Sequence, residues 1–463
     1  MKKITSLLIA VTLISCTMEP KYRKPKIDLP LAENSKEKIS QISWDRFFQS
    51  EDLQRVIKMA LANNRDLKTA NLNVESVEAI YGVTRSSLFP SISANASEIK
   101  QKAPTAFRSF TPKKQFRANL AFTSYELDFF GRLRSLKKSV FEDLLGSRQA
   151  RNLVKITVIS QTVNAYAQFL VDRENLRIAE ENVKALEEKT RLVELRHKAG
   201  LDAPTDLLNA EANTENARLT CDNYKKFVEQ DSNALMILTG KFDAESLPKI
   251  DSIDEIKIDE SLLEFTPSTS LLSRPDISQA EHQLKSANAD IGAARAAFFP
   301  TISLSGTYGY SSRELNSTIA PASRSWTLTP QISLPIFSGG QNIARLKNAN
   351  VLKQIEIINY QQAIHTAFGE ALDQFAQREA SVRQLKSSDL ILKMREKGFK
   401  IATAKYHQGA SSSLDKIDSQ LTLFLAKQNR NNVKKEYLVN LITLYKVLGG
   451  GNAIDKEEEY SIF

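Results

Sequence analysis

Residues 301–310 read Thr-Ile-Ser-Leu-Ser-Gly-Thr-Tyr-Gly-Tyr, with apolar and aromatic side chains on even numbers and small or polar ones on odd numbers, apart from the glycines. A partner stretch follows in which Trp326, Leu328, Ile332, Leu334 and Ile336 alternate with Ser325, Thr327, Thr329, Gln331 and Ser333. Period two held over about ten residues describes a strand with one face on apolar surroundings and the other on water. Two structures satisfy that pattern: a half-buried soluble sheet, and a transmembrane β-barrel whose strands run about 9–11 residues with apolar side chains outward. Periodicity does not separate them. Residue choice favours the barrel, because Ser, Thr, Gln and Asn suit a wet lumen, while Tyr308, Tyr310 and Trp326 supply an interfacial aromatic girdle.

The same unit occurs twice. Leu88-Phe89-Pro90-Ser91-Ile92-Ser93 returns as Phe298-Phe299-Pro300-Thr301-Ile302-Ser303, 298 against 88, an offset of 210. Asp66 and Asp276 keep that offset of 210, while Gly200 with Gly409, Asp206 with Asp415 and Gly240 with Gly449 keep 209. A duplicated module accounts for such agreement at separated points. The copies span 50–240 and 270–450, joined by a linker at 241–269 rich in Asp, Glu and Ile, with a tail at 451–463. In the first copy the pattern predicts strands at 91–102 and 114–128 and helices at 131–197 and 204–239. In the second it predicts strands at 301–312 and 325–337 and helices at 341–406 and 414–448. The first copy repeats the alternation through Ile92, Ala94 and Ala96, and through Phe116, Ala118, Leu120 and Phe122.

Strand number then bears on assembly. A membrane barrel needs at least about 8 strands, so the four predicted per chain cannot close one alone, and three copies supply about twelve. The helices point the same way. From Gly131 to His197 there is no proline and one internal glycine, Gly146. At 1.5 Å per residue such a run is about 100 Å long, beyond any compact domain. Each long helix turns back at a tip, Lys198-Ala199-Gly200-Leu201-Asp202-Ala203-Pro204 in one copy and Gln408-Gly409-Ala410-Ser411-Ser412-Ser413 in the other.

The N-terminus, MKKITSLLIAVTLISC, places two lysines before an apolar run from Ile4 to Ile14. Residues 1–15 are expected to be a secretory leader, since the run falls short of the roughly 20 residues that span a bilayer as a helix. Leu13-Ile14-Ser15-Cys16 resembles the bacterial lipobox, so Cys16 is the expected attachment point of a diacylglyceryl group and an N-acyl chain, followed by an extended segment at 16–49. With Cys221 the only other cysteine, a disulfide framework is not expected.

Charge and motifs exclude other classes. The formal charge of +9 is spread along helical segments beside Asp and Glu, the mark of a solvated surface and not of a nucleic-acid interface. His197 and His407 occupy comparable tip positions, but neither has a second ligand at metal-binding spacing. Gly449-Gly450-Gly451 follows a helix and lacks a trailing Lys-Ser or Lys-Thr, so it reads as a helix C-cap and not a phosphate loop. No catalytic constellation is apparent, and neither an enzyme nor a cofactor is expected.

Several stretches together resemble the TolC-like outer-membrane efflux family, in its lipoprotein branch. They are Cys16 to Pro25, WDRFFQSEDLQRVIKMALANNRDLKTA from Trp44 to Ala70, YELDFFGRLR from Tyr125 to Arg134, and LYKVLGGG from Leu444 to Gly451. The resemblance covers essentially the whole mature chain. It implies a mainly α fold with a transmembrane β-barrel, a homotrimer with twelve strands in the outer membrane of a Gram-negative bacterium, and a long α-helical barrel through the periplasm. It implies a periplasmic adaptor and an inner-membrane RND-type pump as partners, and export of drugs, metals or other small toxic molecules; protein secretion of type I is the alternative. It further implies that Asp415 and Asp418 line a periplasmic constriction, that Tyr406 and Asp206 make gating contacts, and that Gly200, Leu201, Gly409 and Ala410 form the tips that meet the adaptor. Ser411 stands where some members carry a gating arginine.

Overall fold

The computed structural model describes residues 17–26, 43–102, 104, 113–241, 252–263 and 271–450, the side chain of Ser317 excepted. The expected leader at 1–15, Cys16, much of the linker and the tail lie outside these residues. Two short helices, α1 (Trp44–Phe47) and α2 (Glu51–Asn63), precede α3 (Arg65–Ser86) and the strands β1 (Ile92–Lys100) and β2 (Lys114–Leu127). The 67-residue α4 (Arg132–Lys198) and α5 (Pro204–Thr239) complete the first copy. The second runs α6 (Pro275–Ala296), β3 (Thr301–Ser312), β4 (Arg324–Ser333), α7 (Gln341–His407) and α8 (Ser413–Val447).

The chain divides into two compact units that do not follow the two copies. The first unit, drawn from Met1–Asp28, Asn73–Arg148 and Gln279–Gln362, contains all four strands. They form one antiparallel sheet in the order β1-β2-β3-β4, so the copies meet where β2 pairs with β3. At the sheet's base Phe130 stacks on Phe299 with ring centroids 4.8 Å apart, and the Tyr125 hydroxyl donates to the Leu88 carbonyl at 3.1 Å. The two aromatic-proline signals thus hold the helix-to-strand corners.

In the same unit the segment Thr17–Lys26 lies on helices. Lys138 Nζ of α4 stands 2.8 and 3.0 Å from the Glu19 carboxylate oxygens, and fully buried Asn288 of α6 donates to Glu19 at 3.1 Å and to the Pro20 carbonyl at 2.8 Å. Lys24 bonds Glu281 at 2.8 Å. Gly292 is required here, because a Cβ on it would meet Glu19 Cα at 2.9 Å and Ser135 Oγ at 2.5 Å.

The second unit, drawn from Leu29–Leu72, Gln149–Ser278 and Ala363–Phe463, holds the main core. Along α4, Ile159, Val163, Tyr166 and Leu170 recur every three or four residues and are all fully buried, one stripe of a helix facing apolar neighbours. Phe47 stacks on Tyr445 of α8 at 4.2 Å with planes 13° apart. Full burial of an aromatic side chain such as Phe47 is worth about 1.5–3 kcal/mol. Buried Arg274 ties the end of α8 down, donating to the Val447 carbonyl at 2.9 Å while its other nitrogens bond Asp276 and Glu370.

Candidate functional site

Register in the sheet decides which side chains share a face. Tyr308 stands opposite Trp326, Leu120 opposite Tyr308, and Ala94 opposite Leu120, so these apolar positions, one from each strand, fall on one side. Ser305, Thr307, Asn119 and Thr327 fall on the other, where the Thr307 and Thr327 hydroxyls hydrogen-bond at 2.6 Å. The apolar side is exposed, with Ile92, Trp326 and Ile332 each about 70 % accessible. Tyr308 and Trp326 sit side by side and Tyr310 lies two residues further, opposite Arg324, so the three aromatics come together. None of the described helices is long and apolar enough to cross a bilayer. β1 and β4 are the sheet's edges, and among the described residues no strand pairs with their outer sides.

One irregularity keeps the faces consistent. Between Phe122 and Tyr125 the pairing of β2 with β3 shifts, and Ser124 adopts φ 52°, its N–H donating to Ser305 Oγ at 2.9 Å. This bulge inserts an extra residue, so Tyr125 and Leu127, at odd positions, reach the face that Phe116, Ala118, Leu120 and Phe122 occupy at even ones.

The two helix tips are built from the same parts. At the end of α4, Gly200 at φ 73° donates to the His197 carbonyl at 2.9 Å, and Leu201 donates to Arg196 at 2.9 Å. At the end of α7, Gly409 at φ 68° donates to Tyr406 at 3.0 Å and Ala410 to Lys405 at 2.8 Å. Both are left-handed helix stops that suit glycine. Each following helix then carries an aspartate in its first turn: Asp206 accepts from the Ala203 N–H at 3.1 Å, and Asp415 accepts from the N–H and hydroxyl of Ser412 at 3.1 and 2.8 Å. The Ser412 bonds hold the Asp415 carboxyl below the usual carboxylate range.

Those caps decide how the candidate gate residues stand within one chain. Asp206 and Tyr406 do not hydrogen-bond to one another; Asp206 caps α5, and the Tyr406 ring lies under Lys416 Nζ at 5.3 Å. Tyr406, Lys416 and Ile417 line an open groove of about 380 Å³ with Glu181, Lys184 and Glu188 of α4. Asp418 sits three residues beyond Asp415 and forms an ion pair with Lys189 of α4. His197 Nδ1 contacts the Asp202 carbonyl at 2.9 Å, and no group of three metal-ligating side chains occurs among the described residues.

Residues 56–241 match the outer membrane efflux protein family, and residues 266–450 match it again. The chain belongs to that family. It is 34% identical to the toluene efflux pump outer membrane protein TtgC of Pseudomonas putida over 97% of this chain and 96% of that protein. It is 32% identical to the outer membrane protein OprJ of Pseudomonas aeruginosa, over 97% and 95%. Its structure matches the open state of the Neisseria gonorrhoeae MtrE outer membrane channel with a TM-score of 0.83 at 31% identity, covering 94% of this chain and 98% of that one.

Within this outer membrane efflux protein, sequence reasoning missed three features. The bulge at Ser124 has a signal, the phase slip from even to odd apolar positions. Lys189 has none, being one of many helix-surface lysines and 229 residues from its partner. Nor does the pairing of Asp172 on α4 with Asp231 on α5.

Proposed function

We propose that this efflux-family protein is the outer-membrane channel of a tripartite pump, a passive duct and not an enzyme. In this reading three copies join β4 of one to β1 of the next, closing one barrel of about twelve strands. The observation that carries it is the segregation of faces: four strands from two copies of the module align most of their apolar residues, from Ile92 through Leu120 and Tyr308 to Trp326 and Ile332, on a single exposed side. An apolar face that wide is unsuited to water, and two open edges are unsuited to a lone sheet. Lipid on the apolar side and neighbouring subunits at the edges satisfy both.

The names of the relatives support small-molecule efflux over protein secretion, and an adaptor and an inner-membrane pump as partners. Gly200, Leu201, Gly409 and Ala410, at the ends of the helical hairpins, are the adaptor-facing tips in this reading; Leu201 is 69% exposed. Cys16 carries the acyl groups, which supplement the barrel's own hold on the membrane. Asp415 and Asp418 of three copies ring the periplasmic entrance, where like charges attract cations and repel anions.

Reconstitution into a planar bilayer is the test. Discrete conductance steps from a cross-linkable trimer are expected, with cation selectivity that falls when Asp415→Ala and Asp418→Ala are combined. A monomer without conductance would defeat the channel reading; unchanged selectivity in the double variant would defeat the ring assignment alone.

A further inference from the structure

Asp415 and Asp418 lie three residues apart on one face of α8, yet the structure treats them differently. Asp415 receives hydrogen bonds only from Ser412, a neutral residue, and so keeps its whole negative charge. The carboxylate of Asp418 meets a cation, the ammonium of Lys189. That lysine comes from α4, in the hairpin of the other copy of the module, so the pair bridges the two hairpins. Lys189 is partly sheltered and Asp418 more exposed. Of the other cations on these helices, Arg191 bonds Glu188 at 2.7 and 2.8 Å, Lys416 lies over the Tyr406 ring, and Lys184 lines the groove beside Ile417.

We infer that Lys189 sets the charge selectivity of the periplasmic constriction by masking Asp418 while α4 and α8 are in contact. Lys189 is thus a positioning residue, acting through Asp418 and not on the permeating ion itself. The inference rests on the assignment of Asp415 and Asp418 to the constriction. Asp415 is then a fixed charge and Asp418 a conditional one: separation of α8 from α4 uncovers it, so the entrance becomes more negative as it widens. An exposed pair of this kind adds little to stability and is screened by salt beyond about 10 Å at 0.1 M, so the masking holds only while the two side chains stay paired.

The experiment is the reversal potential of single channels under a potassium chloride gradient, for Lys189→Gln, Lys189→Arg, Asp418→Asn and the combined Lys189→Gln with Asp418→Asn. Lys189→Gln is expected to shift the reversal potential toward that of an ideal cation channel, and Lys189→Arg to restore the parent value. The decisive comparison is the combined variant, which should match Asp418→Asn alone, because with no charge to mask the lysine has no further effect. A Lys189→Gln shift that persists in the Asp418→Asn background would show a generic loss of positive charge and overturn the inference. So would the absence of any shift while Asp415→Ala with Asp418→Ala still changes selectivity. If that double variant also changes nothing, the ring assignment fails and the inference falls with it.

Discussion

Glu19 and Lys138 form a two-pronged ion pair, with Lys138 Nζ 2.8 and 3.0 Å from the two carboxylate oxygens of a side chain only 11% exposed. Glu19 also receives the amide of Asn288, whose own oxygen accepts from Lys353 Nζ at 2.8 Å. One carboxylate therefore gathers α4 and α6 directly, and α7 through Asn288. Gly292→Val, which drives a side chain into Glu19, is expected to unseat this segment. The check is hydrogen exchange of residues 17–24, which should accelerate markedly in Gly292→Val, with a smaller effect in Lys138→Ala.

Asp231 and Asp172 bring two carboxyls together between α5 and α4. Burial first, and then the neighbouring Asp172, push the Asp231 carboxyl up to about 7, against the opposing pull of Lys435. The folded chain thus keeps a proton that the unfolded chain releases at lower pH. Stability is fullest below the ordinary carboxyl range and declines as pH rises toward about 7. The melting temperature is expected to be lower near pH 8 than near pH 5 by this contribution, and Asp231→Asn to flatten the difference. A variant retaining the full pH dependence would place its cause at another group.

Much of the architecture was legible because both its periods are long. The alternation of Ile302, Leu304, Tyr308 and Tyr310 reports a two-faced strand without any tertiary knowledge. The tip turns were legible for a related reason, since Gly200 and Gly409 stop helices through local backbone geometry alone. What escaped depends on contacts between distant segments. The apolar alternation runs on to Ile336, yet β4 stops at Ser333, two residues before Pro335, which has no N–H to donate to a partner strand. The ion pair of Lys189 with Asp418 and the Glu19 seat are products of packing, and a single sequence carries no periodic trace of either.

Tyr445 is gripped on two sides, by Phe47 stacked at 4.2 Å and by the backbone of Gly450, on which a Cβ would come within 2.3 Å of the ring. Phe47→Ala leaves a cavity in the middle of the core and is expected to cost about 3–5 kcal/mol. Gly450→Ala overfills the same place, for about 1–3 kcal/mol. Denaturant midpoints of the two variants are the measurement, and the larger loss should belong to Phe47→Ala.

Leu328 and Thr327 are adjacent on β4 but point to opposite faces, Leu328 beside Gly306 on the apolar side and Thr327 bonded to Thr307 on the polar side. If the apolar side meets lipid, Leu328→Arg puts a charge into the bilayer, at a cost of about 2–4 kcal/mol near its midplane. Thr327→Arg puts the same charge into a water-filled lumen, with little effect on assembly. Yield of heat-resistant trimer after refolding into lipid vesicles separates the cases: a severe loss for Leu328→Arg and near-parent yield for Thr327→Arg are expected. Equal tolerance of both would mean that water covers the two faces alike, and the sheet would then not be a membrane wall.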